Sequence, residues 1–223
     1  MNTAIGEILP LALGIAISPI PIIAAILMLL SPKARTTSLG FLLGWLVGVL
    51  FAVTVFTLLS SIIPEKDPDA AQPVAGAIKI VLGLLLLVLA LRQWRSRPRP
   101  GETATLPAWM GAIDSMSPGK ALGLAFLLAA VNPKNLLLSA SAGITVGTGG
   151  GTFGSQALTI IIFTLVAASS VGIPVISYLV ASARMQTPLE SLRGRLVQNN
   201  TAVMTVVLLI LGVTLVGKGI GNF

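Results

Sequence analysis

Ala129-Ala130-Val131-Asn132-Pro133-Lys134-Asn135-Leu136-Leu137-Leu138 interrupts an apolar run, Ala121 to Val146, that is otherwise long enough to cross a bilayer. Two amides, a proline and an ammonium fall at its middle. A lysine at bilayer depth costs about 2.5–3.5 kcal/mol on insertion scales, so it marks a functional site unless it can snorkel to an interface. Lys134 stands roughly mid-run, which favours a buried site over the alternative of a snorkelling lysine beside a proline that merely kinks the helix. Pro133 has no backbone N–H and its ring collides with the preceding turn, which frees carbonyls that hydrocarbon cannot satisfy. The stretch predicts a membrane helix broken at Pro133, with a buried cation at the break.

Composition agrees with a membrane setting. The chain of 223 residues is 55% hydrophobic and 9% charged, with mean hydropathy +0.97, whereas soluble domains are about one-quarter charged. One transmembrane domain over residues 1–223 accounts for all of it. Cysteine and histidine are both absent, which excludes a disulfide framework, a Cys/His metal site and a histidine-activated nucleophile. No enzyme, metal or cofactor is expected. The net charge of +7 is carried by short juxtamembrane loops, where it orients the chain and does not read as a nucleic-acid surface.

Outward from the opening stretch, the pattern predicts an all-α protein of six spans. The first, about Ile8 to Leu30, holds Ser18-Pro19-Ile20-Pro21 at its centre and must also be broken. It begins with no positive n-region, so no cleaved signal peptide is expected. A second span covers about Leu39 to Ile63, with Gly40, Gly44 and Gly48 on one face for close helix approach. The acidic loop Pro64 to Asp69 leads to a third span, Val74 to Leu91, and then to a Pro/Arg-rich connector. There Pro107 to Asp114 reads as a short interfacial helix, since Trp109, Met110 and Ile113 share a face. The fourth span contains Lys134, and a glycine-rich loop from Gly147 to Gly154 follows. The fifth, Ala157 to Ala181, is bendable at Gly172 and Pro174; a loop with Arg184, Arg193 and Arg195 precedes the sixth, Ala202 to Gly217.

Basic residues orient these spans. Ten Lys/Arg follow spans one, three and five, against Lys66, Lys79 and Lys218 on the other side. The positive-inside rule then places the odd loops in the cytoplasm and both termini outside the cytoplasmic membrane. Ser18-Pro19 and Asn132-Pro133 occupy matching places, each in the first of three helices. Three-span repeats must run in opposite directions, so the expectation is two inverted repeats, 5–94 and 120–220, joined by a cytoplasmic connector, 95–119, with broken helices 1 and 4. Paired interrupted helices in inverted repeats point to a transporter site at the midplane.

Several lines of the sequence together resemble the GAP family of actinobacterial membrane proteins, named for addressing glycolipids to the cell surface. They are Ser18-Pro19-Ile20-Pro21, Ser31-Pro32-Lys33-Ala34-Arg35, Gly40-Phe41-Leu42-Leu43-Gly44-Trp45, Pro107-Ala108-Trp109-Met110 and Phe126 to Leu136 around Asn132-Pro133-Lys134-Asn135. That family belongs to the lysine-exporter superfamily, whose members are built from two three-helix repeats. The resemblance implies export of a lipid or glycolipid, or assistance to such export, and leaves the substrate open.

The residues themselves narrow the substrate. Exporters of divalent cations need intramembrane carboxylates, and carriers of reducing equivalents need a cysteine pair; all seven acids here lie at span ends or in loops, and there is no cysteine. An intramembrane lysine favours an anionic headgroup, reinforced by half-helix N-termini after Pro19 and Pro133. The expected binding set is Lys134 for charge, Asn132 and Asn135 for hydrogen bonds, and Ser18 as their counterpart, with Pro19, Pro21 and Pro133 as helix breaks lining the site. Ser139, Ser141, Thr164, Ser169 and Ser170 are weaker candidates, because small hydroxyl residues more often pack membrane helices. Expected partners are membrane lipids and an anionic lipid or glycolipid substrate, with a homo-oligomer or other lipid-export machinery also open. Three alternatives stand beside the exporter: an accessory or scaffold subunit of a lipid-export complex, an exporter of a small amino-acid-like solute, and an enzyme acting on lipid headgroups. No nucleotide-binding motif appears and no acid or histidine lies within the spans, so the mode of energy coupling is open as well.

Overall fold

The computed structural model describes residues 2–62, 73–97, 108–149 and 151–223, and all the regular structure among them is helical. The acidic loop Pro64 to Asp69, the middle of the connector with Arg99 and Pro107, and Gly150 lie outside the described residues.

Both expected breaks form where a polar residue precedes proline. Helix α1 (Asn2–Ala16) ends two residues before Ser18, which is extended at φ −99°, ψ 106°, and α2 (Pro19–Leu29) starts on the proline itself. Proline suits that first position, because its fixed φ matches a helix and the N–H it lacks would be unpaired there. The two helices meet at a bend of 53°. Helix α5 (Pro118–Ala130) and α6 (Pro133–Gly147) repeat the arrangement around extended Asn132, with a bend of 62°. Between these pairs lie α3 (Ala34–Leu59), which closes in a 3-10 turn at Ser60–Ile62, and α4 (Pro73–Arg95). The last helix, α7 (Phe153–Ile220), changes direction at Ala181, whose φ −140°, ψ 52° is not helical. Its limbs are Phe153–Ser182 and Arg184–Ile220. Four of the described helices or limbs are long and apolar enough to cross a membrane, or six if each bent pair is one span.

Three local expectations change. The bend in the fifth span is at Ala181, and Pro174 sits within continuous helix. The Arg184 to Arg195 segment is helix, because Leu189 is buried in the core and Leu196 and Val197 pack against it. A stretch counted as a charged loop therefore carries its own apolar stripe. Residues Ala108–Ser115 form a 3-10 segment whose face of Trp109, Met110 and Ile113 turns inward. Met110 and Ile113 are buried and the segment packs on α2, so the protein core occupies the face assigned to a membrane interface.

Packing interleaves the two halves of the chain. Helix α3 lies along α5 and α6, while α7 lies along α1 and α2. Gly44 touches the Leu122 carbonyl and Gly40 that of Pro118, and a methyl at Gly48 would stand 2.7 Å from the Ala129 methyl. The glycine face of α3 is thus a helix-packing surface. Trp45, Phe41 and Phe163 fill the interior, with the Trp45 indole N–H donating to the Ala167 carbonyl of α7 at 3.5 Å. A second glycine contact joins α4 to the end of α7: methyls at Gly76 and Gly83 would each approach a carbonyl oxygen, of Gly219 and Gly212 respectively, to 2.8 Å.

Candidate functional site

The two breaks share one register. Pro133 stands 114 positions after Pro19, and Ala130, the last residue of α5, 114 after Ala16, the last of α1. The flanking backbone bonds keep the same offset: Ile17 N–H to Leu13 and Val131 N–H to Leu127. In an unbroken helix the next bonds would run from Ser18 to the Gly14 carbonyl and from Asn132 to the Leu128 carbonyl. Both cap residues are extended, so each break leaves one carbonyl in need of a donor.

Two adjacent side chains of α6 supply those donors. The Lys134 ammonium donates to the Gly14 carbonyl oxygen at 2.6 Å and also to the Ser18 hydroxyl oxygen. The Asn135 amide nitrogen donates to the Leu128 carbonyl oxygen at 3.0 Å. Lys134 is 4% exposed and Asn135 1%, so neither bond competes with bulk water. Asn132 acts locally: its side-chain oxygen caps α6 by accepting from the Lys134 backbone N–H at 3.0 Å. Ser18 makes no equivalent cap on α2 because its hydroxyl faces Lys134.

The structure therefore brings Lys134 and Ser18 into contact and seats Asn135 beside them. Pro19 and Pro21 are buried in the first turn of α2, whereas the Pro133 ring is exposed. Two weaker candidates are committed to their own helices, Thr164 to the Ile160 carbonyl and Ser169 to that of Val166. Ser139 and Ser141 differ, since both are fully buried and their hydroxyl oxygens have no partner, and the Asn135 side-chain oxygen is likewise unpaired. Natural structures seldom leave buried polar atoms unpaired, so each calls for a water or a ligand.

Charge at the Lys134 ammonium is not balanced by an acid: no carboxylate among the described residues pairs with it, and the N-terminus of α6 adds its own positive end. An ammonium has three donors, two of which are used, leaving one for an incoming acceptor. Lys134, Ser141 and Thr145 fall on one face of α6. That face runs to a small recess of about 10 Å³ lined by Ser141, Thr145, Glu7, Lys79 and Lys218, room for about one water. Lys79, counted from the sequence as flanking, is buried within α4. With this geometry in view, residues 8–221 match the model of the family described as Sap, sulfolipid-1-addressing protein.

The chain belongs to the sulfolipid-1-addressing protein family. That agrees with the lipid-addressing GAP resemblance and covers both breaks and every helix apart from the first turns of α1. No curated protein and no solved structure matches the chain. For this member of the family, one element of the site escaped sequence reasoning: the Gly14 carbonyl, a main-chain group that no side-chain pattern announces. Counting four residues back from the polar residue before Pro19 would have found it.

Proposed function

We propose that this sulfolipid-1-addressing family protein exports a lipid or glycolipid with an anionic headgroup across the cytoplasmic membrane, and that it transports without covalent chemistry. The observation that carries the reading is the buried Lys134 ammonium, held by the Gly14 carbonyl and the Ser18 hydroxyl where the two broken helices meet. A buried cation with no acid partner among the described residues favours an anion, and its remaining donor is free to take one. The headgroup would be bound by Lys134, with the unpaired Asn135 and Ser139 oxygens accepting from its hydroxyls. Its acyl chains would stay in lipid. Displacing Ser18 from Lys134 would loosen α1 from α6, which links binding to movement of the broken helices.

The 114-residue offset between the breaks and the reciprocal packing of α3 on α5–α6 and of α7 on α1–α2 support two inverted repeats. Together with the excess of basic residues after the odd spans, they support an orientation with both termini outside. Membership of the lysine-exporter superfamily is implied by the GAP resemblance, and a pair of three-helix repeats agrees with it. The test is reconstitution: purified protein in sealed vesicles carrying a sulfated or phosphorylated fluorescent glycolipid on one leaflet, with movement read by a membrane-impermeant quencher. Transfer of anionic lipid above protein-free vesicles, lost on Lys134→Met, is the expected result. No transfer by the purified chain, with export lost from cells that lack it, would assign it instead an accessory role.

A further inference from the structure

Helix α4 and the second limb of α7 run antiparallel and do not keep one spacing along their length. Where Gly76 meets Gly219 and Gly83 meets Gly212, backbone touches backbone. Toward the other end the facing residues are large, and the helices part around an open cavity of about 390 Å³ lined by Leu87, Ala90, Leu91, Trp94, Thr205 and Leu209. Its walls are apolar apart from Thr205, whose hydroxyl is bonded to the Thr201 carbonyl. Two arginines stand at the Trp94 end: Arg95 follows the lining Leu91 by one helical turn, and the Arg97 guanidinium stacks 4.1 Å from the centre of the Trp94 ring.

We propose that this groove is a binding site for an acyl chain of an anionic lipid, whose headgroup is held at the arginine-bearing mouth by Arg95 and Arg97. The occupant follows from the pairing of features. An apolar trough about four residues deeper than a single helical turn, from Leu87 to Trp94, accepts about 10 Å of hydrocarbon. A cation fixed on an indole at its rim marks the depth at which aromatic and basic residues meet headgroups. A neutral lipid would satisfy the trough and leave the arginines unused; an anionic one meets both. The site is separate from Lys134 and does not depend on the export reading.

Brominated acyl chains quench indole at contact, which makes Trp94 the reporter. The full chain is placed in nanodiscs with either brominated phosphatidylglycerol or brominated phosphatidylcholine at equal mole fraction, and the Trp94 component is taken as the difference from Trp94→Phe. Phosphatidylglycerol should quench it about fivefold more effectively than phosphatidylcholine, and Arg95→Gln with Arg97→Gln should abolish that preference. Lys134→Met should leave it unchanged, even if export is lost. Equal quenching by the two lipids would overturn the proposal, since the groove would then hold ordinary bulk lipid. Absence of quenching, with Leu209→Cys cross-linking two chains, would overturn it in favour of a second copy covering the groove. Loss of the preference in Lys134→Met alone would assign the signal to the central site and equally overturn it.

Discussion

Lys134 on α6 reaches across 120 residues of sequence to the Gly14 carbonyl of α1, at 2.6 Å. The acceptor exists because Ser18 is extended ahead of Pro19 and gives Gly14 no helical N–H. One proline-containing break therefore creates the acceptor that the other break's lysine satisfies. The cation is both a structural donor and, in the export reading, the ligand contact, and the first prediction separates these roles.

Lys134→Met removes a buried charge that costs about 3 kcal/mol and leaves the Gly14 carbonyl unpaired, which costs about 1–3 kcal/mol. The two nearly offset. Thermal unfolding in detergent should therefore shift little, by less than about 2 kcal/mol equivalent, while loss of a charged hydrogen bond to substrate lowers transfer by about 10- to 100-fold. Lys134→Arg should retain part of the activity, its planar fork fitting the same acceptors differently. Normal transfer by the Met variant would make the lysine purely structural.

Asn132 and Asn135 should behave differently although they flank the same lysine. Asn132→Ser keeps a capping oxygen and should be nearly neutral, whereas Asn132→Ala should cost about 1 kcal/mol. Asn135→Leu strands the Leu128 carbonyl that its amide now satisfies, a loss of about 1–3 kcal/mol. Equal unfolding temperatures for Asn132→Ala and Asn132→Ser would rule out the capping role.

Gly44→Ala drives a methyl into the Leu122 backbone carbonyl, whereas Gly123→Ala meets nothing within 4 Å. Overpacking typically costs about 1–3 kcal/mol, and an alanine in an uncrowded helix gains up to about 1 kcal/mol over glycine. The two substitutions should therefore move the unfolding midpoint in opposite directions. A shared direction would mean that α3 and α5 do not meet along the glycine face.

Orientation is open to direct labelling, because the native chain has no cysteine. Thr36 and Gly151 are both exposed and lie at opposite ends of the expected spans. With an impermeant thiol reagent, Gly151→Cys should react in intact cells and Thr36→Cys only after permeabilisation. The reverse pattern would invert the topology and the direction of export.

How much was legible in advance depended on whether a signal was local. The breaks were, since a polar residue followed by proline inside an apolar run leaves the chain no unbroken helix, and both fell within a residue of their expected places. The helix-packing role of Gly40, Gly44 and Gly48 was legible for a similar reason: small residues at a four-residue spacing leave one face able to approach another backbone. Errors arose where local polarity misled. Arg184 to Arg195 looked like a loop by charge, yet Leu189, Leu196 and Val197 bind it to the core. The Trp109–Met110–Ile113 face was correctly seen as apolar, but an apolar face is satisfied equally by lipid or by protein, and α2 was its partner here.

From the residues alone came the membrane class, the two breaks and the choice of Lys134 as the residue to explain, because bilayer insertion and proline sterics act on the chain locally and admit few solutions. Only the tertiary structure decided what Lys134 touches. Its acceptors, the Gly14 carbonyl and the Ser18 hydroxyl, belong to the other break, more than 100 residues away in sequence, and one of them is main chain. Which freed carbonyl meets which donor depends on how α1 and α6 cross, and that crossing is set by the packing of α3 and α7 around them, a property of the whole assembly.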